Sequence, residues 1–248
     1  MKMDEQTLGG GRRYLQETRY SRRAWGPKER TYPRAHPFKS YPEAQARVEL
    51  PPRPQVAPAD LWDTLARRRS LRHYVDRPLT LAEVGALCWA TQGITLVERS
   101  FPYRASPSAG ALYPVETYLA VHRAEGLSPG VWHLNVLDSA LDLINPGDTA
   151  RPLVEAGLTQ SFLGSAGVVF IWTGILNRAM WKYRERAIRY IFLDAGHVCQ
   201  NLMLAATALG LGCCPVGAFF DDEVERLVGV DGQEEVALYL AAVGALGP

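Results

Sequence analysis

Apolar residues recur at helical spacing over one long stretch in the C-terminal half of the chain. Between Trp181 and Gly212 they follow one another at intervals of three and four residues, which aligns them on one stripe of a helix. We therefore predict a single long helix with this stripe buried, ended by Gly210 and Gly212. The stripe comprises Ile188, Ile191, Phe192, Ala195, Val198, Cys199, Leu202, Ala205, Ala206 and Leu209.

A polar line runs along another face of the same predicted helix. Asp194, His197 and Asn201 are separated by three and four residues, so their side chains stack on one side. We expect His197 to hydrogen-bond Asp194 or Asn201 and to orient packing rather than to take part in catalysis. A metal site is not predicted, because no second histidine or carboxylate cluster stands at ligand spacing.

Two shorter helices are predicted upstream. Residues 59–69 carry an apolar side and end in a cluster of cations, and residues 80–93 show both ends of a helix. In the second, Thr80 is the predicted N-cap, Glu83 stands at the capping-box position and Gly93 is the stop. The apolar side of the first consists of Leu61, Leu65 and Ala66.

The remaining pattern predicts strands and two more helices. Apolar and β-branched runs separated by turn residues indicate strands that follow one another in a meander. Helices packed on an antiparallel or mixed sheet, an α+β architecture, follow from this order. The predicted strands are 116–122, 130–136, 141–144, 168–175, a short one within 213–220, and 235–244; the helices are 150–158 and 221–229, the latter capped by Asp221 or Asp222.

The first 57 residues differ from the rest. Seven prolines, at positions 33, 37, 42, 51, 52, 54 and 58, mark this region and its end and exclude long helices. We predict an extended arm over residues 1–57 and one domain over residues 58–248. The arm is expected to wrap across a neighbouring surface, such as a second subunit, with a disordered extension as the alternative. Its aromatic residues are Tyr14, Tyr20, Trp25, Tyr32, Phe38 and Tyr41.

Composition narrows the function classes. The 248 residues are 47% hydrophobic with a net charge of +1, so the chain can bury a full core and carries no overall field for nucleic acid or an anionic membrane. No apolar run approaches the roughly 18 residues of a membrane helix, and no signal peptide is evident. We expect a soluble cytoplasmic protein, with the vicinal Cys213 and Cys214 as buried thiols rather than a disulfide.

Two segments could bind a ligand. The cations of RRRSLR (67–72) surround Ser70, and they either complement a helix dipole or form a phosphate cradle. The loop SPSAGALYP (106–114) consists of small and turn-forming residues, which let backbone amides approach a flat or anionic ligand. The glycine patterns of dinucleotide-binding and P-loop proteins do not occur.

Five motifs together resemble the SagB-type dehydrogenases, which are nitroreductase-like flavoproteins. These are RRRSLR (67–72), PSAGALYPVE (107–116), WKYRERAIRY (181–190), DAGHVCQNLMLAATALGLG (194–212) and CPVGAFFDDEV (214–224). The resemblance covers residues 58–244 and implies a mainly antiparallel sheet flanked by helices. It further implies an FMN-dependent oxidoreductase that works as an intertwined homodimer with flavin at the subunit interface.

The resemblance also assigns site residues. Three groups correspond to positions that contact FMN in the family. Arg68, Arg69, Ser70 and Arg72 match those that hold its phosphate and ribityl chain; Pro107, Ser108, Ala109 and Gly110 match a loop that reaches it from the partner subunit; and Pro215, Val216 and Gly217 match the backbone beside its ring. Many family members add a cation near the C-terminus, whereas this chain ends AAVGALGP. Arg184, Arg186 or Arg189 are candidates to help the first group.

Lys182 and Tyr183 match the catalytic pair of the azoline-oxidising members. There a base removes a proton from the ring of a small-molecule or peptide substrate while hydride leaves for flavin N5. Adjacent helical residues point about 100° apart, so both side chains reach one pocket only at the start of a helix or in a preceding loop. The alternatives are a free-standing NAD(P)H-dependent nitro or quinone reductase and an inactive flavin-binding interaction protein.

Overall fold

A seven-stranded antiparallel sheet organises the chain. The computed structural model describes residues 9–22, 26, 31–51 and 53–247, so the predicted arm residues Trp25 and Pro52 lie outside the described part. The strand order is β1-β6-β5-β4-β7-β9-β8, with each neighbouring pair antiparallel. A separate hairpin, which the sequence pattern did not predict, is formed by β2 and β3. The strands are β1 (Ala46–Glu49), β2 (Ile94–Glu98), β3 (Phe101–Arg104), β4 (Val115–Val121), β5 (Gly130–Asn135), β6 (Ala140–Pro146), β7 (Val168–Ile175), β8 (Leu211–Val216) and β9 (Glu235–Ala245).

Helices cover both faces of this sheet, which confirms the predicted α+β class. Side chains of β7 alternate between the two faces: Phe170 and Trp172 join a core with α3 and α7, whereas Val169 and Ile171 join one with α4, α5 and α8. The helices are α1 (Gly10–Glu17), α2 (Leu61–Arg67), α3 (Leu81–Gln92), α4 (Ala150–Ala156), α5 (Phe162–Ser165), α6 (Asn177–Tyr183), α7 (Ala187–Ala208) and α8 (Asp221–Val228). Within the described ranges, no helix has the length and hydropathy to cross a membrane.

The prediction of one helix from 181 to 212 is wrong. Arg184 adopts φ 54° and ψ −145°, which ends α6, and a short 3-10 turn leads into α7. Gly210 follows the end of α7 in a left-handed conformation, but Gly212 lies in β8. A Cβ atom on Gly212 would come within 3.0 Å of the Tyr74 ring, so packing rather than helix termination requires this glycine.

Helix ends and apolar faces agree with the sequence pattern only in part. Thr80 and Glu83 form the predicted capping box of α3, and its C-cap is Gly93. In contrast, α8 begins after Phe220, and neither predicted aspartate caps it. The buried stripe of α7 is confirmed except at Phe192, which is 58% exposed. Leu61 and Leu65 of α2 are also exposed.

The described parts of the predicted arm contact the rest of their own chain. Strand β1 pairs with β6 at one edge of the main sheet. Tyr14 of α1 and Thr18, directly after that helix, accept hydrogen bonds from Arg189 near the start of α7. Further along, the Lys39 ammonium bonds the Glu235 carboxylate at 2.6 Å. The division into an arm and a domain at residue 57 stays a prediction.

Candidate functional site

The loop from Ser106 to Gly110 is clamped to the middle of α7. Ser108 Oγ donates to Asp194 Oδ2 at 2.6 Å, and the Ala109 amide donates to Asp194 Oδ1 at 3.2 Å. Two turns further along, Asn201 Nδ2 donates to Ser106 Oγ at 3.0 Å. A carboxylate and an amide spaced seven residues apart on one helix therefore hold both ends of the loop's first half.

The polar line of α7 thus has a different role from the predicted one. Asp194 and Asn201 bond the loop, whereas His197 is exposed and its ring makes no hydrogen bond within the described part of the chain. Burial raises the pKa of the Asp194 carboxyl, and the bonds from Ser108 and Ala109 lower it in part. The sequence carried a signal for this clamp, because Asp194 and Asn201 stand seven residues apart and so lie on one side of α7.

Lys182 and Tyr183 meet the loop at Gly110. Gly110 has φ 64°, and a Cβ atom there would clash with the Tyr183 hydroxyl and lie 2.7 Å from Lys182 Nζ. Both side chains consequently approach the same point, although they are neighbours in sequence. The Lys182 ammonium also lies 5.2 Å from the centroid of the Tyr183 ring. The loop residue in this place must be a glycine for both reasons, its backbone angle and the lack of space.

The helix boundary explains how adjacent side chains converge. Lys182 and Tyr183 form the last turn of α6, whereas the sequence argument allowed convergence only at the start of a helix or in a preceding loop. The chain reverses at Arg184, directly after them. Because both residues stand at a helix end, the geometry of a continuous helix does not separate their side chains. Tyr183 is half-buried and Lys182 is exposed.

The arginine cluster lies along the edge strand β8. Ser70 forms a parallel bridge with Cys213, and the Leu71 amide donates to the Cys213 carbonyl at 3.0 Å. The Val75 amide continues along the sheet by donating to the Ala245 carbonyl at 2.9 Å. Main-chain pairing therefore brings residues 68–72 beside residues 213–216.

The four arginines of this cluster are engaged to different degrees. Arg67 is bound to Asp63 at 2.6 Å, and Arg69 donates to the Ala66 carbonyl at 2.9 Å at the end of α2. Arg72 lies 5.6 Å from the Phe162 ring centroid. The Arg68 guanidinium has no hydrogen bond or ion pair to a described residue. Arg68 is thus the cation of the cluster that is free to bind an anion.

Pro215, Val216 and Gly217 continue from the same segment. Val216 is buried and pairs with Leu240 of β9, while Gly217 follows the strand and is exposed. The neighbouring Cys213 and Cys214 are free thiols, as expected, and burial raises the pKa of both. This segment can therefore contact a ligand through its main chain, whereas its buried thiols are not reactive nucleophiles.

A buried charge network behind the loop was missed by sequence reasoning. Arg178 of α6 binds Glu116 Oε1, and His133 Nε2 lies 2.7 Å from Glu116 Oε2. Burial by itself would raise the pKa of Glu116, but the charges and hydrogen bonds of Arg178, His133 and the nearby Arg104 lower it to about 2. The signal was one charged residue, Glu116, within the otherwise uncharged and fully buried strand VETYLAV.

This network touches the second half of the loop. Arg178 Nη1 donates to the Tyr113 carbonyl at 3.3 Å, and the Arg104 amide donates to the Tyr113 hydroxyl at 3.0 Å. Burial lowers the pKa of Arg104 to about 10, and its Nη1 donates to Gln92 Oε1 at 3.1 Å. The loop is therefore held by α7 on one side and by buried ionic groups on the other.

The site residues fall into two groups in this chain. One group is the arginine cluster with β8, and the other is the loop with Lys182, Tyr183 and α7. No hydrogen bond or ion pair joins the two groups among residues 9–22, 26, 31–51 and 53–247. The same described ranges contain no cluster of three potential metal ligands.

Comparison with known proteins identifies the family. Residues 65–245 match the sequence profile of the nitroreductase family. The protein MJ1384 of Methanocaldococcus jannaschii, named after the nitroreductases, is 37% identical over 191 residues, which cover 77% of this chain and 93% of that protein.

Peptide-processing proteins are also similar. The trifolitoxin-processing protein TfxB of Rhizobium leguminosarum is 36% identical over 140 residues, which cover 54% of this chain and 38% of TfxB. A chain in the structure of the Escherichia coli microcin synthetase McbBCD complex with truncated pro-MccB17 bound superposes with a TM-score of 0.63 at 21% identity, over 78% of this chain and 76% of that chain. The last likeness confirms the predicted fold. The chain is an oxidoreductase that belongs to the nitroreductase family and is similar to its SagB-type members.

Proposed function

We propose that this protein is an FMN-dependent oxidoreductase of the SagB type that oxidises an azoline-like ring in a peptide or small molecule. The observation that carries the proposal is the convergence of Lys182 and Tyr183 on Gly110 of the loop. A tyrosine hydroxyl is one of the groups that can accept a proton as a general base, and Lys182 places a cation beside it. The name of TfxB and the peptide bound in the McbBCD structure support a peptide substrate.

FMN fits the two groups of the site. Arg68, with Arg69, Ser70 and Arg72, offers guanidinium and hydroxyl groups to the phosphate and ribityl chain, and Arg68 is not committed to a carboxylate. Pro215, Val216 and Gly217 offer main chain beside the ring, where bulky side chains would exclude a flat ligand. Arg186 and Arg189 are not available to help, because both donate to the Thr18 main chain or hydroxyl.

The loop would reach the flavin from a partner subunit. In a homodimer, Pro107, Ser108, Ala109 and Gly110 of one chain would face the arginine cluster of the other, since no hydrogen bond or ion pair joins the two groups among the described residues. Exposed apolar side chains support this arrangement: Phe192 and Leu193 of α7 are each 58% exposed, and Trp62 of α2 is 76% exposed. Helices α2 and α7 are in contact, so these exposed residues belong to neighbouring helices.

The chemistry assigned to this chain is proton removal and orientation. Tyr183 takes the acidic proton from the azoline carbon, and Lys182 stabilises the negative charge that proton removal leaves on the ring. Bound FMN supplies the acceptor for the hydride, so the ring loses a proton and a hydride and becomes aromatic. Gly110 lets both side chains come close to the loop backbone, because it has no Cβ atom. Asp194 and Asn201 keep the loop in place through Ser106 and Ser108.

The test is turnover of a methyl thiazoline-4-carboxylate by the FMN-loaded protein, followed by thiazole absorbance. We expect Tyr183→Phe to lower kcat about 100-fold, the lower end of the range for general-base catalysis, with FMN content unchanged. Tyr103→Phe is the control, because it removes the same hydroxyl group from the separate hairpin of β2 and β3. Thiazole formation at the wild-type rate by Tyr183→Phe would contradict the assignment of the base.

A second candidate function is an NAD(P)H-dependent nitro or quinone reductase. The observation in its favour is the likeness to MJ1384 over 93% of that protein. The two functions share the flavin site and differ in the electron donor. Rapid NAD(P)H oxidation with a quinone acceptor, unaffected by Tyr183→Phe and without thiazoline turnover, would favour the reductase. A protein that stays colourless and does not quench FMN fluorescence would exclude both and favour the inactive interaction protein.

A further inference from the structure

The N-terminal arm holds the backbone that follows the Lys182–Tyr183 pair. The Tyr14 hydroxyl donates to the Glu185 carbonyl and accepts from the Arg189 amide, each at 3.1 Å. Thr18 Oγ1 accepts from Arg189 Nε at 2.8 Å and from Nη2 at 2.6 Å. The Thr18 carbonyl accepts from Arg186 Nη1 at 2.6 Å. Two arm residues thereby fix the short segment that links α6 to α7.

A cluster of aromatic rings connects this segment to Tyr183. Arg186 Nε donates to the Tyr190 hydroxyl at 2.8 Å, and the Arg186 guanidinium lies 4.2 Å from the centroid of the Tyr20 ring. Tyr20 also hydrogen-bonds Tyr190. The Tyr190 ring meets the Tyr183 ring edge to face, with centroids 4.9 Å apart and an interplanar angle of 73°. Arg186 and Tyr190 therefore stand between the arm and Tyr183.

Tyr183 depends on this packing for its position. Among the described residues its hydroxyl has no hydrogen-bond partner, so contacts of the ring itself hold it, with the Tyr190 ring and with the Lys182 ammonium. The backbone after it is strained, because Arg184 is a non-glycine residue at φ 54°. A strained turn persists only where its surroundings hold it, and the surroundings here are the arm residues Tyr14 and Thr18.

We propose that Tyr190 is a positioning residue for Tyr183, and that arm residues 14–18 hold the 184–189 turn in place. This rests on the proposed function, in which Tyr183 is the base. Since the edge-to-face contact belongs to the ring and not to its hydroxyl, the positioning requires an aromatic side chain at residue 190. The arm acts on the site from its own chain, in addition to any contact with a second subunit.

The experiment compares Tyr190→Leu, Tyr190→Phe and Thr18→Val in the FMN-loaded full-length protein, with Tyr41→Phe as the control. Tyr41 is an arm residue whose hydroxyl bonds Tyr118, away from the turn. With the thiazoline, we expect Tyr190→Leu to lower kcat about tenfold at unchanged KM, since a lost aromatic contact and a misplaced base both raise the barrier. Tyr190→Phe should restore most of the rate. Equal loss in the leucine and phenylalanine variants, or wild-type kcat in the leucine variant, overturns the positioning role.

Hydrogen exchange followed by mass spectrometry separates this inference from the proposed function. We expect Thr18→Val to raise the exchange rate of the amides of residues 185–190, because the bonds to Arg189 are lost, while Tyr41→Phe leaves it unchanged. If wild-type protein turned over no thiazoline, the proposed function would fail, and this measurement would still test the hold of the arm on the turn. Unchanged exchange in Thr18→Val would refute that hold.

Discussion

The two groups of site residues are held in opposite ways. The arginine cluster is attached to the edge strand β8 by main-chain bonds such as that from Leu71 to Cys213, and most of its side chains face solvent. The loop around Gly110 is instead fixed by side chains: Asp194 and Asn201 of α7 and the buried Arg178 hydrogen-bond it, and the Arg104 guanidinium lies 4.6 Å from the centroid of its Tyr113 ring. The backbone of the first region can therefore keep its conformation when a side chain is removed, whereas the conformation of the second region depends on its side chains.

Substitutions should accordingly separate binding from stability. In the arginine cluster, a change of side chain is expected to alter affinity for an anionic ligand while the fold is kept. Behind the loop, a change is expected to lower the free energy of unfolding, because it leaves buried groups without partners. Four predictions test this difference, and the largest expected effect comes first.

Glu116→Gln should strongly destabilise the protein. The change leaves Arg178 and Arg104 buried without their carboxylate, which costs about 3–5 kcal/mol for a broken buried pair. Urea denaturation measures the loss. Asp138→Asn is the control, because its pair with Arg47 is exposed and exposed pairs contribute about 1 kcal/mol or less. A similar small loss in both variants would contradict the view that buried ions support the loop.

Gly110→Ala tests the convergence of Lys182 and Tyr183. Its matched control is Gly210→Ala, which has a similar positive φ but no atom within 4 Å of the added Cβ. Both variants pay a backbone cost of about 1–2 kcal/mol. The clash at Gly110 should also displace the two side chains, lowering turnover of the thiazoline about 100-fold, as expected for a small misplacement.

The comparison of these two glycine variants isolates space from backbone strain. We expect Gly210→Ala to keep wild-type turnover despite its lower stability in urea. Equal turnover in the two variants would mean that residue 110 does not control the position of Lys182 or Tyr183.

Arg68→Ala should weaken FMN binding without unfolding the protein. Loss of one charged hydrogen bond to phosphate raises Kd about 10- to 100-fold. Quenching of FMN fluorescence measures Kd. Arg67→Ala removes the same charge from a side chain already bound to Asp63, so its Kd should stay within about threefold of wild type. An equal rise in both variants would point to the summed charge of the cluster instead of a contact by Arg68.

The smallest effect is expected for the pH dependence of the Asp194 clamp. Burial raises the folded-state pKa of Asp194 above its unfolded value of 3.8, so the folded protein binds the proton more tightly. The contribution to stability is therefore fully present below pH 3.8 and is lost as pH rises through the folded pKa. Asp194→Asn should lack this decline when the free energy of unfolding is measured across that range. A parallel decline in the variant would assign it to other groups.

Local patterns predicted much of the fold. The Thr80–Glu83 box, the strand 168–175 and most of the stripe on α7 depend on neighbours close in sequence, and all three were confirmed. The break at Arg184 was not predicted, because nothing in WKYRERAIRY interrupts the helical spacing. The arm, about 170 residues away in sequence, hydrogen-bonds this turn, a contact that no local pattern contains.

The candidate site shows the same division between features that the sequence predicts and features that depend on long-range contacts. By itself, the sequence determined the family, the antiparallel α+β class and the candidate residues, since these follow from motifs whose order and spacing can be read along one chain. Only the tertiary structure decided that Asp194 holds Ser108, that Glu116 is paired beneath the loop, and that Phe192 is exposed. Such contacts join residues far apart in the chain, and long-range packing, not local preference, selects them.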